Sequence, residues 1–218
     1  MADMNILKNK FHIIKKYIQN RKQSEERNSA AQLIKTAELS SLKVYYRDIA
    51  ALIDVGFLEK VKQGYYRVIS SKDSDEPTEA SVIASLYPDG VLCMYTALFY
   101  YRYSDRTPQF WDIAIDRNTS KARFKMDYPY VQPYYMKPEH LTYGISTAEY
   151  EDCQIKIFDR DRLICECIKN ENKMDRESYN KAIIGYVADP KKSIANLLLY
   201  AKKRNVAAKV KERIGVWL

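Results

Sequence analysis

Asp54-Val55-Gly56-Phe57-Leu58-Glu59-Lys60-Val61-Lys62-Gln63-Gly64-Tyr65-Tyr66-Arg67-Val68 is the stretch whose reading decides the fold of the N-terminal part. Phe57 to Val61 and Tyr65 to Ile69 read as strands, because apolar and aromatic residues recur through both. Lys62-Gln63-Gly64 between them reads as a hairpin turn, glycine taking a positive φ that a Cβ would oppose. Gly56 falls where a helix needs a left-handed C-terminal cap. A helix should therefore end at about Val55 and feed directly into a hairpin.

Three helical patterns are expected upstream. Leu7, Phe11, Ile14 and Ile18 recur at i, i+4, i+7 and i+11, one stripe of an amphipathic helix. After a polar break from Gln19 to Asn28, Ala30, Ala31, Leu33, Ile34 and Ala37 predict a second, short helix. Glu38-Leu39-Ser40-Ser41 reads as a tight connection, with Ser40 or Ser41 capping a third helix that runs to about Val55. Tyr45, Ile49, Leu52 and Ile53 are its expected inner stripe. Helix, short helix, turn, helix and hairpin is the order of a winged helix-turn-helix, predicted here for residues 1–70.

Residues 71–77, polar and closed by Pro77, read as a linker. Residues 78–218 are expected to form a mixed α/β domain ending in helices, so the fold class is α+β. Thr78 should cap a helix through Leu86. Val91 to Tyr103 is almost continuously apolar and aromatic, hence buried, and is read as helix. Trp111–Asp116 and Ala122–Asp127 alternate like strands around Arg117-Asn118-Thr119-Ser120, a hairpin. Tyr128-Pro129-Tyr130 and Pro133-Tyr134-Tyr135 begin a connection, and Gln154 to Phe158 is another strand. Asp189-Pro190 reads as a helix start, with Ile194, Leu197, Leu198 and Ala201 inward, and a last helix holds Val206, Val210 and Ile214.

Charge points to a partner. The net charge is +8, and residues 1–70 carry thirteen Lys and Arg against seven acids, which leaves only +2 for the other 148 residues. An anionic partner for the first module, such as duplex DNA, follows from that asymmetry. On the third helix Lys43, Arg47, Ala50 and Asp54 lie opposite the inner stripe, with Tyr46 beside them. Arg47 is placed to pair with guanine, Lys43 and the hydroxyls of Ser40 and Ser41 to reach phosphates. Lys60, Lys62 and Gln63 at the hairpin tip would meet the flanking backbone. Asp48 and Asp54 must point away from phosphate. The bland alternative is a solvated helical face, or a winged helix that binds protein.

Other chemistries find little support. Cys93, Cys153, Cys165 and Cys167 lack metal-site spacing, and His12 and His140 are not near them in sequence, so buried reduced thiols are expected and no metal or cofactor. No phosphate-cradling glycine loop occurs among only six glycines, and no G-x-S-x-G elbow is present. Pro88-Asp89 and Glu171-x-Lys173 imitate a fragment of a metal-nuclease pattern without a second placed carboxylate. The chain is expected not to be an enzyme. It lacks a run of roughly 18 apolar residues and a signal-peptide profile, so a cytoplasmic protein is expected. Tyrosines 100, 101, 103, 128, 130, 134 and 135 read either as half-buried packing or as a stacking and binding surface.

The stretch from Asp54 to Val68 resembles the helix-end-plus-wing signature of the AbiEi family, the antitoxin and transcriptional-regulator components of type IV toxin–antitoxin (abortive infection) systems. Pro88-Asp89-Gly90-Val91-Leu92-Cys93 leading into Thr96-Ala97-Leu98 is similar to that family's segment after the linker. Ile157-Phe158-Asp159-Arg160-Asp161-Arg162, Asn170 to Lys173, and Ala182 to the tail Gly215-Val216-Trp217-Leu218 resemble later blocks, so that the likeness runs over most of residues 25–218. One departure is Cys165-Glu166, where the resemblance leads one to expect an aspartate. The resemblance implies an antitoxin that represses its own operon and counteracts a cognate nucleotidyltransferase toxin, directly or indirectly. It also implies an operator of inverted repeats with two copies bound.

Overall fold

The computed structural model describes residues 4–24, 33–69, 78–126, 128–150 and 153–215. It is a mixed α+β protein. The chain divides into two compact units: residues 1–88 with 125–129 and 149–154, and residues 89–124, 130–148 and 155–218. The division falls after Pro88, so the helix capped by Thr78 groups with the first unit rather than opening the second. The expected linker, 71–77, lies outside the described residues.

In the first unit α1 (Met4–Ser24) is followed by β1 (Leu33–Lys35), α2 (Thr36–Ser41), α3 (Tyr46–Asp54), β2 (Leu58–Lys62) and β3 (Tyr65–Val68). The strands form an antiparallel sheet in the order β1-β3-β2. Leu7, Ile14 and Ile18 of α1 bury as the spacing requires, in one core with Ile34, Leu39, Val44, Ile49, Leu52, Leu58 and Tyr66. Phe11 stacks on Phe57 with ring centroids 4.4 Å apart. Each such aliphatic side chain contributes about 1.5–3 kcal/mol on burial.

Two expectations for this unit are corrected. Leu33 and Ile34 are strand, not helix; Ala30 and Ala31 lie outside the described residues. Pairing with β3 (Leu33 opposite Arg67, Ile34 opposite Tyr66) overrides the local helical spacing. Glu38 to Ser41 is helix rather than connection, and α2 ends in a Schellman closure: Val44 N–H donates to Leu39 O (2.9 Å) and Lys43 N–H to Ser40 O (3.0 Å). Lys43 takes the left-handed position, φ +58°. The same closure ends α3 at Gly56, φ +75°, with Phe57 N–H on Leu52 O at 2.8 Å. There glycine stands where predicted.

The described part of the first unit continues with α4 (Glu79–Leu86), where Thr78 Oγ1 accepts from Ser81 N at 3.3 Å as expected. A five-stranded mixed sheet then follows in the order β6-β5-β4-β8-β7. Its strands are β4 (Val91–Leu92), β5 (Trp111–Asp116), β6 (Val131–Met136), β7 (Ile145–Tyr150) and β8 (Cys153–Phe158). β5 runs antiparallel to β4 and parallel to β6. The helices are α5 (Met94–Tyr100), α6 (Arg160–Lys169), α7 (Arg176–Ala188), α8 (Ile194–Lys203) and α9 (Ala207–Ile214). α6 packs against α5, α7, α8 and α9 and is buried on every face from Asp161 to Ile168.

The apolar run 91–103 divides into a short strand and α5. The expected hairpin after Trp111–Asp116 is absent: Lys121–Phe124 is a 3-10 turn, and the proline-tyrosine segment supplies the strand instead. Pro133 is tolerated because β6 is an edge. Asp189 ends α7 rather than starting α8, whose cap is Ser193 (Oγ to Asn196 N, 3.3 Å). Leu198 consequently faces outward, and Tyr200 joins Leu197 and Ala201 inside.

Candidate nucleic-acid interface

The face of interest begins where α2 turns into α3. The left-handed step at Lys43 redirects the chain so that buried Val44 plugs the core. Tyr45 then becomes the N-cap of α3. Its N–H donates to Asp48 Oδ2 (3.0 Å), which fixes the carboxylate against the helix start. Lys10 of α1 reaches the same oxygen at 2.5 Å. The Lys10 ammonium and the Tyr45 amide hold the Asp48 carboxyl below its ordinary range. Asp48 is thus charged and neutralised inside the unit, turned from the outer face.

Opposite Ile49 and Leu52, the outer surface carries Lys43, Tyr46 and Arg47, all exposed, Tyr46 at 84%. Tyr45 joins them at 59% exposure. It was expected inside; as N-cap its backbone is extended, which takes it off the helical stripe. This is the site residue that periodicity misassigned. Ser40 and Ser41 do not cap α3. They close α2, and their hydroxyls donate back to Thr36 O (2.9 Å) and Ala37 O (3.0 Å). Their protons are committed to the helix, so they are weak phosphate donors.

The hairpin tip is short and anchored. β2 and β3 pair with a bulge between Lys60 and Lys62, and Gly64 turns the chain at φ +83°. Gly64 O accepts Thr36 N–H at 3.0 Å, which ties the tip to the start of α2. Lys60 and Gln63 are exposed. Lys62 is half-buried, its ammonium 5.1 Å from the ring centres of both Tyr65 and Tyr87. It packs more than it projects.

Two further acids of this unit are tied down, whereas Asp54, at the end of α3, is exposed. Glu38 accepts from Arg21 (2.7 Å), Tyr17 (3.1 Å) and the Lys35 amide (2.7 Å), joining α1, β1 and α2. Glu59 pairs with Arg67 across the hairpin. Lys43 and Arg47 enter none of these pairs, so their charge faces outward. Such a cluster of cations and aromatics suits a polyanion with flat bases.

Elsewhere the expected alternatives resolve individually. All four cysteines are free and buried, and burial pushes the Cys165 thiol up to about 12. Tyr101 and Tyr103 pack inward, donating to Phe158 O (3.0 Å) and Asp189 (2.6 Å). Tyr128 and Tyr130 are exposed, Tyr134 is half-buried. Asp89 pairs with Arg123, and Glu171 pairs with both Lys209 and Arg213. Among the described residues no helix is long and apolar enough to cross a membrane. No protein-family model matches the sequence, and neither does any curated protein.

Proposed function

We propose that this chain is a cytoplasmic DNA-binding autorepressor and antitoxin that binds operator DNA through α3. The single observation that carries the DNA half is the outward cluster of Lys43, Tyr45, Tyr46 and Arg47 at the start of a helix whose first-turn acid, Asp48, is neutralised by Lys10. The element order α1-β1-α2-α3-β2-β3, with sheet order β1-β3-β2, agrees with a winged helix-turn-helix. In that reading α3 enters the major groove, where Arg47 reads guanine and Lys43 meets phosphate. Lys60 and Gln63 lie beside it as a short wing. The antitoxin half, the nucleotidyltransferase toxin and the paired copies on inverted repeats rest on the AbiEi resemblance.

Fluorescence anisotropy with DNA from the upstream promoter tests the first half. Replacing Lys43 and Arg47 by alanine is expected to weaken binding by about 1–3 kcal/mol per specific contact, while the circular-dichroism melt is retained. Undiminished binding would reject α3 as the reader. Protein capture without any DNA affinity would favour an adaptor. Co-expression with a nucleotidyltransferase toxin encoded in the same operon tests the second half: restored growth supports it, and continued arrest, or an operon without such a gene, refutes it.

A further inference from the structure

A pocket in the second unit, about 440 Å³, is formed by the start of α5, the edge strand β6, the end of α6 and the end of α8. Its floor is electrostatically unbalanced. Glu166, fully buried, is bridged by Arg162 (2.8 Å) and by Arg204 (2.5 and 2.9 Å). Two buried cations thus share one carboxylate. Arg162, behind the lining, packs against the rings of Tyr143 and Phe158, 4.4 and 4.7 Å from their centres; its Nη2 also donates to His140 O at 3.1 Å, while its Nε and Nη1 have no hydrogen-bond partner among the described residues. Buried excess charge of this kind is costly unless another anion offsets it.

The pocket adds cations to that excess. Arg204 lines it and uses only Nε and Nη2 on Glu166. Lys173 is exposed on the rim, and Lys169 beside it donates to Arg204 O at 3.1 Å. Burial and the nearby Arg204 charge hold the Lys169 amine below its ordinary range, as for an ammonium in a cation-rich site. The walls are flat or soft: Tyr95, Tyr134 and Met94, the last held at φ +40°. The volume is within the 300–1,000 Å³ range typical of small-molecule sites.

We propose that this pocket binds a nucleotide, its phosphate offsetting the charge of Arg204, Lys169 and Lys173 and its base lying against Tyr95 and Tyr134. The phosphate adds an anion beside Arg204, which shares the single carboxylate of Glu166 with Arg162. The tyrosine and methionine walls supply apolar surface for a planar ring.

Calorimetric titration of the full chain tests this with adenosine and guanosine monophosphates, adenosine, and inorganic phosphate. Expected is one-to-one binding of a monophosphate, tighter than that of adenosine or phosphate. Lys173→Glu should weaken it at least tenfold. Gln132→Glu, an exposed change on the opposite wall, should also weaken it, which guards against a folding defect in either variant. The proposal is overturned by any of three results: no monophosphate binding at millimolar concentration, binding undiminished in both variants, or loss of binding on replacing Lys43 and Arg47 instead. Phosphate binding as tightly as the nucleotide would overturn the assignment of a base.

Discussion

Asp112 shows how one residue's surroundings set its charge. It sits in β5, buried, and accepts Tyr95 N–H at 2.8 Å at the start of α5. Burial pushes its carboxyl up to about 7, against the opposing pull of the Tyr95 and Thr96 amides. The folded value lies above the unfolded one, so the neutral form stabilises the fold. That contribution is complete below about pH 4 and is lost as pH rises towards 7. Asp112→Asn keeps an acceptor for Tyr95 and cannot ionise. It is expected to raise stability relative to the parent by about 2–3 kcal/mol more at pH 8 than at pH 5, the two units between pH 5 and the folded value being worth about 1.4 kcal/mol each. Urea melts at the two pH values read this directly. An identical difference at both would mean that Asp112 stays ionised throughout.

At the level of elements, closures by left-handed residues separate what the sequence discloses from what it hides. Gly56 was legible because glycine advertises its conformation. Lys43, Arg102 and Asn205 adopt the same region without glycine, at φ +58°, +60° and +56°. Lys43 is exposed there, so Lys43→Gly should relieve about 1 kcal/mol of backbone strain and raise the melting temperature. The same variant should weaken DNA binding; a lower melting temperature would contradict the strain. Local chemistry made α1, α3, the hairpin, the Thr78 cap and α9 readable. β1 was not, because three residues acquire strand geometry only by pairing with β3, some thirty positions on. β6 was hidden by Pro133 and by a parallel partner that no turn announces. The outward charges of Lys43 and Arg47 were anticipated, but Lys43 was expected on the third helix and instead closes α2, and Tyr45 was lost to periodicity. The pocket in the second unit was invisible, since its lining joins β6, itself hidden from the sequence, to residues of α5, α6, the turn at Lys173 and the end of α8 that are distant along the chain.

Over the whole molecule, the excess charge of +6 in residues 1–70 against +2 in the rest sets how binding must respond to salt. Within the first unit Lys10, Arg21 and Arg67 are occupied by Asp48, Glu38 and Glu59. The cations left to meet phosphate are therefore fewer than the composition suggests, with Lys43 and Lys60 foremost. Each phosphate neutralised on duplex DNA contributes about −0.9 to the slope of log K against log salt. Lys43→Ala is expected to make that slope shallower by about 1 and to weaken all sequences alike. Arg47→Ala should instead erode the preference for the operator over random duplex, because a base contact carries the sequence information and a phosphate contact does not. Anisotropy titrations at several salt concentrations, on both DNAs, separate the two effects. An unchanged slope for Lys43→Ala, with discrimination intact in Arg47→Ala, would move the DNA surface away from α3 and onto another part of the chain.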